Sequence, residues 1–353
     1  MDCAGSAKIL IVRTDRMGDV VLTAPVFKAL RKFYPSAHIA VLVQPSAVDL
    51  VQGNPYINEV IVDDHEGLHK GVMGALHVAR QIRRCHFDQA FIFHTKRRAN
   101  MLCFLAGVPC RRGYKNNKFG MLLTHPLKDT RHLGLKHESQ YCLDVLAAAG
   151  IPEAGLDLLV PNNKEAEVWA VQWLKDNGLA PGEIIAIHPG ASDTTKQWPP
   201  QCFAQLISAL TNRYMLKIVL IGGPQTVEAA GKIQAQSPTA LNLAGQTSVG
   251  QMAALLRRCR LLVSNDSGPM HVGAAVGTSV IGLFLRNQPG INPERWRPLG
   301  PKSFILTNKP GEHIALDKKG QVEAGRPDSI SVEKVLELAG RILEQDNQSL
   351  FYW

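Results

Sequence analysis

Short aliphatic runs recur along the chain, and between them apolar positions return every three or four residues. Ile9-Leu-Ile-Val12 is an unbroken apolar run of strand length. After a polar turn, Phe27, Leu30 and Phe33 fall on one side of a predicted helix over 20–34. Strands are predicted over 38–43, 59–62 and 89–93, with a helix over 74–84. The rhythm restarts in the second half. Strands are predicted over 183–188, 217–221, 241–243, 261–264 and 279–285. Helices are predicted over 164–177, 200–212, 227–234, 249–258 and 269–276. Ser331 is placed to cap a last helix reaching residue 344, and the aromatic tail over 348–353 is expected to be a terminus without chemistry. Strand and helix in alternation imply mainly parallel sheets with helices on both faces. The Pro- and Gly-containing stretch Ile151–Pro161 separates two such domains, residues 1–160 and 161–353. No short-period repeat is present, so the expectation is two doubly wound α/β domains and not a solenoid.

Composition narrows the class. At 353 residues, two domains are the natural expectation. A hydrophobic fraction of 45% with 20% charged residues excludes a disordered chain, and 30 glycines exclude a collagen-like one. No apolar stretch reaches the ~18–20 residues that span a bilayer. Residues 1–8 do not read as a signal peptide. Seven scattered cysteines with no C-x-x-C pair point to reduced thiols in a cytoplasm.

Charge adds a partner class. The balance of 39 basic and 30 acidic residues is +9. Residues 1–160 hold 20 basic and 14 acidic side chains (+6), and residues 161–353 hold 19 and 16 (+3). The block over 89–128 carries eight Lys/Arg and no acid. Such a surface suits nucleic acid, acidic lipid or a phosphorylated substrate.

Open α/β sheets bind ligands at the carboxyl ends of strands, so chemistry is expected in loops that follow strands, near the cleft between domains. Arg13-Thr-Asp-Arg-Met-Gly-Asp19 is the first such loop. Asp19 reads as a helix N-cap or as a general base, and a capping bond would lower its basicity. Arg13 and Arg16 read as acceptor anchors or as solvated loop cations. The second loop is Ser264-Asn-Asp-Ser-Gly-Pro-Met-His271. Gly268 and Pro269 suit a helix start whose amides face phosphate oxygens, and the bland alternative is a turn capped by Asp266 or Ser267. His271 alone is as readily a packing residue, with no metal partner spaced around it. A third loop, His188–Pro199, carries Lys196, which could neutralise a leaving phosphate or be an ordinary surface lysine. No G-x-G-x-x-G after a strand, no P-loop, no H-E-x-x-H and no G-x-S-x-G is present.

Three segments together, Arg13…Met17-Gly18-Asp19, Pro189-Gly190…Lys196-x-Trp198-Pro199 and Asn265-Asp-Ser-Gly-Pro-Met-His271, resemble the ADP-heptose:lipopolysaccharide heptosyltransferases. The resemblance extends over about residues 9–284, most of the chain. It implies the glycosyltransferase B-type fold, with an amino-terminal acceptor domain and a carboxy-terminal nucleotide-sugar domain. It implies Asp19 as general base and Lys196 as the phosphate-binding cation. Gly190, Ala191, Asp266, Ser267, Gly268 and His271 would bind the donor. The reaction implied is an inverting transfer of heptose from ADP-heptose to a sugar hydroxyl, with no metal or other cofactor required. Arg97, Arg111 and Arg112, with Arg13 and Arg16, would meet a phosphorylated, acidic, lipid-linked acceptor at the inner face of the inner membrane. Where some members carry a Glu after the Gly-x-Pro turn, this chain has Thr226, and where many continue Gly-Pro-Thr it has Leu285-Arg286-Asn287. A nucleotide-sugar epimerase of the same architecture, a silent sugar-binding member and a basic nucleic-acid-binding protein are the alternatives. The last is disfavoured because few aromatics interleave the basic block.

Overall fold

The computed structural model describes residues 7–94, 96–116, 119–308 and 330–349. The chain divides into two compact units, Met1–Pro161 and Asn162–Trp353.

The first unit is built on a six-stranded parallel sheet. Its strands are β1 (Lys8–Val12), β2 (His38–Val43), β3 (Glu59–Val62), β4 (Gln89–Ile92), β5 (Cys110–Lys115) and β6 (His125–Lys128). They lie in the order β3-β2-β1-β4-β5-β6. The connecting helices are α1 (Met17–Leu22), α2 (Ala24–Phe33), α3 (Gly71–Cys85), α4 (Arg97–Leu105) and α5 (Glu138–Ala147). Ile9, Leu10, Ile11 and Val12 are fully buried, as an aliphatic run covered on both faces must be.

Two expectations change here. The single helix over 20–34 is two helices broken at Thr23, and the first begins at Met17. Pro25 has no amide hydrogen to return to the preceding turn, so the ladder cannot run through it. Strands β5 and β6 fall inside the basic block, where the pattern predicts no strand, because Cys-Arg-Arg-Gly-Tyr-Lys and His-Pro-Leu-Lys show neither an aliphatic run nor alternation. They form because β4 offers an open ladder, and Pro126 is tolerated on the edge strand β6.

The second unit opens with α6 (Lys164–Asp176) and β7 (Ile184–His188), followed by α7 (Pro200–Arg213), β8 (Lys217–Leu220), α8 (Val227–Gln236) and β9 (Leu241–Asn242). Then come α9 (Val249–Leu256), β10 (Cys259–Asn265), α10 (Gly268–Ala275), β11 (Ser279–Phe284), α11 (Pro293–Trp296), β12 (Ser303–Thr307) and α12 (Val332–Ser349). The sheet is again parallel, in the order β12-β11-β10-β7-β8-β9. Counted by appearance, both sheets run 3-2-1-4-5-6, the doubly wound order in which ligands sit where the winding reverses. That switch point lies at β1/β4 in one unit and β7/β10 in the other. Trp198 and Phe203 meet edge to face at 4.8 Å in the second core. The end of the aromatic tail, 350–353, lies outside the described residues. The six described cysteines form no disulfide.

Candidate active site

In the first unit, β1 delivers Arg13 into its strand-end loop. The guanidinium is 1% exposed and is surrounded by carboxylates. Nη2 donates to Asp19 Oδ1 at 2.8 Å and to Glu138 Oε1 at 3.0 Å, and Nη1 donates to the Phe93 carbonyl at 3.3 Å. Nε lies 3.0 Å from Asp15 Oδ1, an ion pair that is off line for a hydrogen bond. Arg131 approaches the same Glu138 at 3.9 Å, pairs with Asp129 and lies over the Tyr114 ring. Burial works against the Arg13 cation, but Asp15 and Asp19 more than offset it and keep it charged.

Asp19 is not a cap. The helix starts at Met17, with Arg16 in the N-cap position and no side-chain cap, so Asp19 stands inside the first turn and bonds Arg13 instead. The consequence for its acidity is the reverse of capping. Burial, and then the charge of Asp15, push its carboxyl up to about 7, with Arg13 pulling the other way. His94, beside Thr14 Oγ1 at 2.9 Å, is held down at about 3 by burial and then by Arg13, and stays neutral. Glu138 escaped sequence reading because an acid in a first helical turn is ordinary and nothing local links it to residues 125 positions away.

In the second unit, the loop after β7 is fastened at both ends by Asn265, fully buried at the end of β10. Its Nδ2 donates to the Pro189 carbonyl at 2.7 Å, and its Oδ1 accepts from the Trp198 amide at 3.0 Å. Between these anchors Asp193 caps a short turn, accepting from Thr195 N at 2.9 Å and Thr195 Oγ1 at 2.7 Å. That turn ends in Lys196, whose ammonium pairs directly with Asp266; the two side chains are 16% and 7% exposed. Lys196 is therefore not an ordinary surface lysine, and two residues 70 positions apart share one ion pair. Arg286, just beyond β11, was not among the expected site residues. Its Nη1 donates to Asp193 Oδ2 at 2.8 Å and to Thr195 Oγ1 at 3.1 Å. These bonds interlock the loops after β7, β10 and β11.

Ser267 occupies the N-cap position of α10, but its hydroxyl donates to the Asn265 carbonyl and not to the helix. Gly268 opens the helix, and His271 is buried within it. The Ala191 carbonyl accepts from Gln197 Nε2. Gly190 has no room for a side chain, since a Cβ there would stand 2.4 Å from Thr226 Oγ1. Thr226 itself is fully buried, packed against Gly190 and Gly222.

The expected acceptor arginines separate. Arg16 and Arg97 are exposed, and Arg97 lies over the Phe119 ring. Arg112 is half-buried in β5. Arg111 turns inward, giving Nε to the Leu122 carbonyl and Nη1 to the Val108 carbonyl. Arg13 is enclosed as described, whereas Arg111 is half-buried. Among the described residues, no group of three or more His, Cys, Asp or Glu could hold a metal ion.

Residues 75–324 match the model of glycosyltransferase family 9 (heptosyltransferase). The chain is 27% identical over 360 residues to a lipopolysaccharide heptosyltransferase 2 of Salmonella typhimurium, covering 96% of this chain and 99% of that protein. The crystal structure of a family 9 glycosyltransferase from Veillonella parvula superposes with a TM-score of 0.83 at 27% identity, covering 96% of this chain and 98% of that one. An ADP-heptose lipopolysaccharide heptosyltransferase II of Escherichia coli shares the fold, with a TM-score of 0.78 at 22% identity over 96% of this chain and 99% of that one. The two doubly wound sheets are those of the glycosyltransferase B-type fold, and the chain belongs to glycosyltransferase family 9, the heptosyltransferases.

Proposed function

We propose that this enzyme transfers heptose from ADP-heptose, with inversion, to a hydroxyl of a lipopolysaccharide inner-core sugar. The observation that carries the reading is Asp19, a carboxylate at the carboxyl end of β1 whose surroundings bring its pKa to about 7. A general base works best when its pKa lies near the working pH. The acceptor hydroxyl oxygen attacks the anomeric carbon and its proton passes to Asp19. The bond from that carbon to the diphosphate oxygen breaks, and the electron pair leaves with ADP. Lys196 meets the charge that develops there. Asp266 takes one of its three ammonium donors, which leaves donors for phosphate oxygens. Asp266 receives sugar hydroxyls, and the Gly190–Ala191 and Ser267–Gly268 backbones with His271 complete the donor side.

Arg13, enclosed by carboxylates, acts through Asp19 and holds it in place. Arg16, Arg97 and Arg112 serve a phosphorylated, acidic, lipid-linked acceptor, and the enzyme works at the cytoplasmic face of the inner membrane. Among the described residues no helix is long and apolar enough to cross a membrane. The test is a panel of ADP- and UDP-sugars scored for binding and for transfer to defined core acceptors. ADP-heptose is expected to be the productive donor, and Asp19→Asn to lower kcat by ~10²–10⁴. Turnover of a donor without any acceptor would favour an epimerase, and an Asp19→Asn variant with parental kcat would remove Asp19 as the base.

A further inference from the structure

The first unit exposes large apolar side chains in a way the second does not. Leu68, Val72, Met73 and Met121 are 72–88% exposed, and Leu135 is 71% exposed. All of them follow the carboxyl ends of strands: Leu68, Val72 and Met73 come after β3, Met121 after β5, and Leu135 after β6. Bonds across these loops tie them into one rim. Arg98, in the first turn of α4, grips Asp63 with two bonds of 2.7 Å and donates to the His69 carbonyl at 2.8 Å, which joins the post-β3 loop to α4. Its neighbour Arg97 lies 5.6 Å from the centre of the Phe119 ring, which joins α4 to the turn bearing Met121. Tyr114, near the end of β5, donates to the Tyr141 carbonyl, and the Tyr141 hydroxyl accepts from the Leu135 amide.

The same loops carry Lys70, Lys96, Lys115 and Lys128, all exposed. Asp63 and Asp129 are neutralised by Arg98 and Arg131, and the half-buried Asp64 accepts from the Gly67 and Leu68 amides, so that Glu66 is the fully exposed acid among the described residues of these loops. In the second unit, the exposed Val168, Val171 and Met215 lie on α6 and ahead of β8, away from the strand ends, and Val227, 48% exposed after β8, is a single apolar residue and not a cluster.

We infer that this rim docks on an anionic lipid bilayer, with Leu68, Val72, Met73 and Met121 entering the acyl boundary and the lysines meeting lipid phosphates. Apolar tips within a basic surround are what an interfacial anchor requires, whereas a nucleic acid would use the lysines and gain nothing from the tips. Resting on the function proposed above, the inference names the support that holds the acceptor, because the loop bearing Asp19 leaves the same edge of the sheet.

The test uses the full chain and vesicle co-sedimentation. The parent is expected to bind phosphatidylglycerol/phosphatidylethanolamine vesicles and not phosphatidylcholine vesicles. Leu68→Ser/Val72→Ser/Met73→Ser/Met121→Ser should lower that binding about tenfold or more. Lys70→Glu/Lys115→Glu should lower it separately, and Val168→Ser/Val171→Ser/Met215→Ser should leave it unchanged. Transfer to a deacylated, water-soluble acceptor should be unaffected by the serine rim. Absence of parental vesicle binding, a serine rim that binds like the parent, or displacement of vesicles by an oligonucleotide would each overturn the inference. Vesicle binding that follows this pattern without heptose transfer would support the docking face while overturning the donor reading.

Discussion

Asp19 illustrates how a single residue is tuned by neighbours that sequence distance hides. Its ionised form is disfavoured by burial and by Asp15, and Arg13 limits the shift. The acid limb of kcat/KM should therefore fall near pH 7, with activity rising as Asp19 loses its proton. Asp15→Asn removes the larger repelling charge and makes ionisation easier, so the limb should move to lower pH by on the order of one unit. Stability runs the opposite way. A carboxyl whose folded pKa is raised contributes stability below its ordinary pKa, and that contribution is lost as pH rises through about 7. Asp19→Asn should accordingly melt above the parent at pH 8, with the gap closing towards pH 4. A variant that melts below the parent at pH 8 would mean that the Arg13 pairing outweighs burial.

At the scale of elements, the second unit's site is a set of strand-end loops locked to each other. Arg286 bonds Asp193 and Thr195, which hold the turn ending in Lys196, so on the proposed function it would position that cation. Arg286→Ala should lower kcat about tenfold with a smaller change in KM, since misplacing a catalytic cation mainly costs rate. Arg286→Lys should recover part of the loss, and equal losses in both variants would point to simple loosening of the loop. Packing beneath the loop is equally local. Gly190→Ala sets a methyl against Thr226 Oγ1 and should cost ~1–3 kcal/mol in denaturant unfolding. Combining it with Thr226→Ala removes the nearest atom, leaving the His188 ring at 3.0 Å, and should restore part of that loss. If the two effects simply add, the close approach is not the cause.

For the molecule as a whole, Asp19 and Lys196, the proposed base and the proposed cation, belong to separate units, each with its own sheet and core. The two should then fail differently. Calorimetry is expected to show parental ADP affinity in Asp19→Asn and weakened affinity in Lys196→Ala, while both lose turnover. Lys196→Ala should lower kcat by ~10²–10³ as well, the usual cost of one preorganised donor at a developing anion. Parental ADP binding and turnover in Lys196→Ala would remove it from the donor side.

Much of this architecture could be read locally. The run Ile9–Val12 and the apolar spacing of Phe27, Leu30 and Phe33 report on strand and helix because periodicity is a property of neighbouring residues. The Gly-Asp and Asn-Asp-Ser-Gly loops stood out because they follow such strands. The Arg-rich strand β5 did not, since a ladder bond from β4 and not its own side chains makes it a strand. Nor could the chain alone reveal that Arg13 joins Asp19 to Glu138, that Lys196 rests on Asp266, or that Arg286 braces the turn between them. Charge, burial and pKa depend on groups brought together from distant positions, and folding alone makes those meetings.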